Sequence, residues 1–147
     1  WWRALGGSVD AVVGGAGGGA VGMCFSGGFA LGMMVDDIMR APVLSQPSLP
    51  ISAGERRGGD LGLSPDDLEA VVHRAAAGCE VLGLRFTGDR MVGSRFSTLK
   101  NLLGDAFIAV ELPSSAPSDH SVLTEHRDDE SVGAVLDFLE RKLRPAT

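Results

Sequence analysis

The most constraining feature of the sequence is a change of hydrophobic period between residues 20 and 38. Ala20 to Met23 form a short apolar run of the kind found in a fully buried β-strand, and a glycine pair, Gly27 and Gly28, follows shortly after it. Beyond this pair, apolar residues recur at helical spacing, at Phe29, Leu31, Met33, Met34 and Ile38. The sequence therefore predicts a strand, a sharp turn and a helix, with Cys24 at the end of the strand.

The remainder of the chain continues this alternation of strand and helix patterns. Further apolar runs have the length of β-strands, namely Ala41 to Leu44, Val81 to Phe86 and Phe107 to Leu112. Helical patterns cover Trp1 to about Val13, Pro65 to about Ala77 with Ser64 as N-cap, about Ser94 to Leu103, and Glu130 to Leu143. Such alternation predicts an α/β fold, a three-layer αβα sandwich with a mainly parallel sheet between its helices.

Length, charge and cysteine usage narrow the class of protein. A chain of 147 residues fits a single domain, residues 1–147. The net charge of -6 arises from acidic residues spread along the chain, which argues against a nucleic-acid surface and against an anionic membrane partner. Cys24 and Cys79 lie far apart without metal-type spacing, and no signal-peptide pattern opens the chain. We therefore expect a cytoplasmic protein.

Three chemically capable residues follow predicted strands and form the candidate site. Ligands of an open parallel sheet bind beyond the carboxyl ends of its strands, where Cys24, Asp89 and His120 are expected. A nucleophile on a strained strand-to-helix turn, or elbow, needs small neighbours because the next helix packs close against it. Gly22 and Ser26 satisfy this need on either side of Cys24.

The elbow also supplies a candidate oxyanion donor. The main-chain N–H of Phe25 stands at the start of the predicted helix, where the positive end of the helix dipole favours an oxyanion and a thiolate. The chain order of Cys24, Asp89 and His120 is that of nucleophile, acid and histidine in α/β hydrolases. These features favour a catalytic cysteine over a buried structural thiol, which is the commoner role of a free cysteine.

Other polar residues have structural interpretations, and one alternative nucleophile stays open. Ser26 would be the nucleophile if the strand extended through Phe25, with Cys24 and Gly28 as its flanks. The residues expected to be structural or solvated are His73, Cys79 and His126. Asp105 and Asp119 are rivals of Asp89 for the acid but are less well placed, one in a turn between helix and strand and the other next to His120 in sequence. Three methionines, Met23, Met33 and Met34, are expected to fill the core under the helix that follows the elbow.

The segments "GMCFSGG", "GDR" and "DHSVL" together resemble the dienelactone hydrolase family of α/β hydrolases. The resemblance covers about Gly19 to Leu143. It implies that Cys24 is the nucleophile, that His120 is the base that takes its proton, and that Asp89 orients His120. The implied reaction is hydrolysis of a small lactone or carboxylic ester through an acyl-cysteine intermediate, with no metal and no organic cofactor.

Three departures from the family pattern modify these expectations. The usual G-x-C-x-G-G elbow carries an extra serine here, and Thr124 stands where the family has an arginine that holds the substrate carboxylate, which argues against dienelactone itself as substrate. Only a short segment precedes the elbow, so we expect an N-terminally incomplete α/β-hydrolase domain without the second oxyanion donor. The alternative function is a non-catalytic fragment or interaction module that associates through an exposed sheet edge.

Overall fold

A four-stranded parallel sheet forms the centre of the computed structural model, which describes residues 17–48 and 58–144. The strands are β1 (Gly18–Met23), β2 (Met39–Ser45), β3 (Val81–Phe86) and β4 (Phe107–Leu112). They lie side by side in the order β1, β2, β3, β4, and each neighbouring pair is parallel. The carboxyl ends of the strands therefore meet at the same edge of the sheet.

Helices cover both faces of the sheet. In the described residues they are α1 (Gly27–Gly32), α2 (Pro65–Ala76), α3 (Arg95–Leu103) and α4 (Asp129–Leu143). Helices α1, α2 and α3 contribute to the core on one face, and α4 contributes to the core on the other. This arrangement is the predicted α/β architecture of three layers.

Alternation along β2 shows how one strand serves both cores. Leu44 packs into the core beneath α1, α2 and α3, while its neighbour Val43, and Ala41 two residues before that, pack into the core beneath α4. Successive side chains of a strand point to opposite faces, so a strand covered on both sides reads as a nearly continuous apolar run. This is why β2, which is central, was recognisable from its composition.

Local sequence signals position the helix ends. Ser64 caps α2 by accepting a hydrogen bond from the Asp67 N–H at 3.1 Å, and Pro65 occupies the first turn, as predicted. Asp128 caps α4 by accepting from the Ser131 N–H at 2.7 Å. Gly78 follows α2 with a φ of 97°, a left-handed conformation that favours glycine.

Three expectations for the first strand, Met23 and the first helix are wrong. Strand β1 is not fully buried, because it pairs only with β2 among the described residues, and Val21 and Met23 are 43% and 39% exposed. Met23 therefore does not fill the core, although Met34 does. Helix α1 is also shorter than predicted, since the chain tightens into a 3-10 turn at Met33–Val35.

Some expectations fall on residues that the structure does not describe. The predicted opening helix from Trp1 to about Val13 lies outside the described residues. Within residues 17–48 and 58–144, none of the helices combines the length and the apolar character needed to cross a membrane.

Candidate active site

The chain turns sharply between β1 and α1, and Cys24 stands at that turn. Cys24 begins a 3-10 turn (Cys24–Ser26) with a φ of 49°, in the left-handed region that non-glycine residues rarely occupy. A Cβ atom on Gly22 would come within 2.3 Å of the Ser26 carbonyl oxygen, and one on Gly27 within 2.8 Å of Pro47 Cβ. The glycines around Cys24 are therefore required by close packing, as the elbow prediction assumed.

A chain of side-chain hydrogen bonds joins Cys24, His120 and Asp89, with His120 in the middle. Cys24 Sγ is 3.2 Å from His120 Nε2, and His120 Nδ1 is 2.6 Å from Asp89 Oδ2. An ionised carboxylate can only accept, so His120 Nδ1 carries the proton that is donated to Asp89. His120 Nε2 is then free to accept from the thiol when the imidazole is neutral, and to donate to the thiolate after proton transfer.

Asp89 is held in place by the turn that follows β3. Its main-chain N–H donates to the Phe86 carbonyl at 3.2 Å, and its Oδ1 accepts from the Met91 N–H at 2.9 Å. The Asp89 side chain is 3% exposed, whereas that of His120 is 19% exposed. The carboxylate is thus buried and oriented, while the imidazole keeps a solvent-facing side.

The loop that carries His120 is organised by Asp119. The Asp119 carboxylate accepts from the main-chain N–H groups of Ser115 and Ala116 and from the Ser115 hydroxyl. The N–H of Ala116, followed by the Ser115 hydroxyl, lowers the pKa of Asp119 below its ordinary value, because these donors stabilise the ionised form. Asp119 therefore fixes the loop, and Asp89 is the carboxylate that contacts the imidazole.

His126 is more enclosed than the expected solvated helix start. Its ring meets Phe86 edge to face, with ring centroids 6.2 Å apart, and its Nδ1 accepts from the His120 main-chain N–H at 3.5 Å. His126 thus supports the backbone of the loop, while His73 is exposed on α2 as expected.

Ser26 makes different contacts from those of Cys24. Its hydroxyl donates to the Met23 carbonyl at 2.8 Å and accepts from the Met23 N–H at the same distance. Both hydrogen bonds join Ser26 to the main chain of Met23 within the same turn. The imidazole of His120 contacts the neighbouring sulfur of Cys24.

Phe25 follows Cys24 in the 3-10 turn. Its N–H belongs to the first turn of a helical segment, where such groups have no partner within the helix. Its ring is turned outward, being 50% exposed, and meets Phe29 edge to face with ring centroids 5.2 Å apart. The two aromatic rings therefore form an exposed pair, one ring on the turn and the other on α1.

Gln46 belongs to the site but was missed in the sequence. It follows β2 directly, is 1% exposed, and places its carboxamide nitrogen 3.5 Å from Cys24 Sγ. In the sequence, Pro47 and Pro50 mark the segment after Ser45 as a loop and give Gln46 no local signal of function. Its position could have identified Gln46. It follows β2, the strand that pairs with β1, so it lies at the same carboxyl edge of the sheet as Cys24.

Comparisons of the chain with protein-family models, with curated proteins and with solved structures find no match. The resemblance to the dienelactone hydrolase family therefore depends on the quoted motifs and stays a prediction. The geometry of the site is independent of that resemblance, because it follows from the positions of the side chains alone.

Proposed function

We propose that this chain carries a cysteine-dependent hydrolase site that cleaves small lactones or carboxylic esters, in the manner of the dienelactone hydrolase family. The observation that carries the proposal is the pair of distances along the site, 3.2 Å from Cys24 Sγ to His120 Nε2 and 2.6 Å from His120 Nδ1 to Asp89 Oδ2. A nucleophile, a base and a group that orients the base are the parts that covalent acyl transfer requires.

In the first half of the reaction, His120 Nε2 takes the proton of the Cys24 thiol. The thiolate attacks the carbonyl carbon of the ester or lactone, and the carbonyl oxygen becomes an oxyanion that the Phe25 N–H can stabilise. The tetrahedral intermediate then collapses, the carbon–oxygen bond to the leaving group breaks, and His120 gives its proton to the departing alkoxide. An ester thus releases its alcohol and leaves an acyl-cysteine, whereas a lactone opens to a hydroxyacyl chain that stays bonded to Cys24 Sγ as the acyl-cysteine.

In the second half, the acyl-cysteine is hydrolysed. His120 takes a proton from a water molecule, whose oxygen attacks the acyl carbon, and the bond to Cys24 Sγ breaks. The acid leaves, and the sulfur recovers a proton from the imidazolium. Asp89 stabilises the positive imidazolium in both halves, because its carboxylate is buried against His120 Nδ1.

The contacts support Cys24 over Ser26 as the nucleophile. The Ser26 hydroxyl donates to the Met23 carbonyl within the turn. Cys24 has both the contact with His120 and the left-handed backbone typical of an elbow nucleophile. Ser26 stays the alternative nucleophile, and the experiment must distinguish it from Cys24.

Hydrolysis of p-nitrophenyl acetate tests the proposal. We expect Cys24→Ala to lower the rate at least about 10³-fold, because residues that act as one catalytic unit lose most of the rate enhancement together. Rapid acid quenching followed by peptide mass spectrometry should locate an acetyl group on Cys24 of the wild-type protein. Cys79→Ala is the matched control and should keep the wild-type rate.

Two outcomes contradict the proposal in different ways. Retention of activity in Cys24→Ala together with its loss in Ser26→Ala would establish the serine route. No hydrolysis and no acetylation in the wild-type protein, across esters and lactones of several sizes, would leave the non-catalytic alternative.

A further inference from the structure

Gln46 connects three parts of the site through one side chain. Its carboxamide oxygen accepts a hydrogen bond from the Ser45 hydroxyl, and another from the main-chain N–H of Val122 at 3.4 Å. Its carboxamide nitrogen lies 3.5 Å from Cys24 Sγ. The side chain therefore joins the end of β2, the loop that carries His120, and the thiol.

The orientation of the Gln46 amide follows from its neighbours. A main-chain N–H can only donate, so the carboxamide atom that faces Val122 must be the oxygen. The NH₂ group consequently faces Cys24, where it can donate to the sulfur. A thiolate accepts such a bond more strongly than a thiol, because hydrogen bonds to charged acceptors are the stronger ones.

Backbone strain marks the two partners of this contact. In the described part of the chain, the non-glycine residues with positive φ are Cys24, at 49°, and Gln46, at 37°. The main chain is held there by the Gln46 N–H, which donates to the Leu84 carbonyl at 2.7 Å, and by the Ser48 N–H, which donates to the Cys24 carbonyl at 3.0 Å. Strained residues cluster at functional sites, and here the two strained residues touch each other.

We propose that Gln46 is a further catalytic residue, an uncharged donor that stabilises the Cys24 thiolate and fixes the direction of its sulfur. The inference rests on the function proposed above. His120, with Asp89 behind it, is the titratable group that contacts the sulfur in the described structure. Gln46 does not titrate, so it donates both when the thiolate attacks and when the thiolate is expelled from the acyl-cysteine.

Gln46→Glu tests the donor with little change of shape. The carboxylate keeps an oxygen that can accept from Ser45 and Val122, but it has no N–H for the sulfur. We expect alkylation of Cys24 by iodoacetamide to slow about tenfold at pH 7, and the midpoint of its pH profile to rise by about one unit. Gln46→Met should move the midpoint in the same direction by less, because it adds no negative charge.

The wild-type protein and Cys79 are the controls for this experiment. Alkylation of Cys79 should be unchanged in both variants, since Cys79 has no contact with Gln46 among those described. An unchanged Cys24 profile in both variants, with a fast wild-type reaction, overturns the role of Gln46 alone. A wild-type Cys24 that reacts no faster than Cys79 overturns the proposed function, and this inference with it.

A second measurement needs no substitution at Gln46, in case both variants fail to fold by far-UV circular dichroism. In the wild-type protein labelled with ¹⁵N, the side-chain NH₂ resonances of Gln46 should shift with the midpoint at which Cys24 alkylation rises. In Cys24→Ala this shift should disappear. Resonances that do not follow the titration of Cys24 in the wild-type protein would overturn the proposal.

Discussion

The two cysteines are both half-buried, but they lie at opposite edges of the sheet, and different groups contact their sulfur atoms. Cys24, at the carboxyl edge, contacts the imidazole of His120 and the carboxamide nitrogen of Gln46. Cys79, just before β3, lies 3.6 Å from the Met39 carbonyl oxygen, an acceptor. The two sulfurs therefore share a burial class but face different groups: a base and a donor at Cys24, and an acceptor at Cys79.

The surroundings of Cys79 favour the neutral thiol. Burial raises its pKa above the ordinary value, and the nearby cations Arg74, Lys142 and Arg40 only partly oppose this effect. Reactive cysteines need a thiolate, so Cys79 should be slow towards alkylating reagents. The difference between the two sulfurs is the quantity that the following experiments test.

The largest expected effect is on alkylation at neutral pH. We expect iodoacetamide to modify Cys24 about 10²-fold faster than Cys79, because the His120 imidazole can take the proton of Cys24, whereas burial raises the pKa of Cys79. His120→Gln should bring the two rates close together. Peptide mass spectrometry of samples quenched over time measures both rates in one protein. Equal and slow modification in the wild-type protein would contradict the comparison.

Gly22→Ala should weaken the same difference by breaking the elbow. Its new Cβ would meet the Ser26 carbonyl oxygen at 2.3 Å, and such overpacking typically costs about 1–3 kcal/mol. We expect a lower free energy of unfolding in urea and a Cys24 alkylation rate nearer to that of Cys79.

Gly133→Ala is the matched control for that substitution. Gly133 lies within α4, and a Cβ there would meet nothing within 4 Å. Alanine in an open helix position should stabilise the protein by about 0.5–1 kcal/mol and leave the alkylation ratio unchanged. Stabilisation by both substitutions would show that the elbow tolerates a side chain at Gly22.

The smallest expected effect is the pH dependence of stability that Cys79 contributes. Its folded-state pKa is raised, so its stabilising contribution is complete below the ordinary value of 9.0 and is lost as the pH rises towards the folded value. Cys79→Ala should therefore reduce the fall in the urea midpoint above pH 9.0. A fall of the same size in the variant would assign the alkaline loss to other groups.

The residues that could be identified from the sequence carry local signals. Cys24 lies between small residues at a change of hydrophobic period. Ser64 and Pro65 form an N-cap pattern that predicts the start of α2. Asp89 and His120 could be placed because each follows an apolar strand or its exit loop in an α/β pattern. Local spacing and turn chemistry were enough in these cases because neighbouring residues largely determine the conformation.

The residues that were missed depend on contacts between distant segments. Gln46 reaches the sulfur because β1 and β2 align Met23 with Ser45, and its oxygen meets a main-chain N–H from the loop beyond β4. The exposure of Val21 depends on the position of β1 in the sheet, which its composition does not encode. The association of this chain with a partner through an exposed sheet edge stays a prediction.

The distribution of the site along the chain has a kinetic consequence. Each strand is followed by one of its members: Cys24 after β1, Gln46 after β2, Asp89 after β3 and His120 after β4. A folding intermediate in which the last strand has not yet docked would hold a thiol without its imidazole. The appearance of fast thiol chemistry during refolding would therefore report that β1 and the loop after β4 have both reached their places, whichever strand docks last.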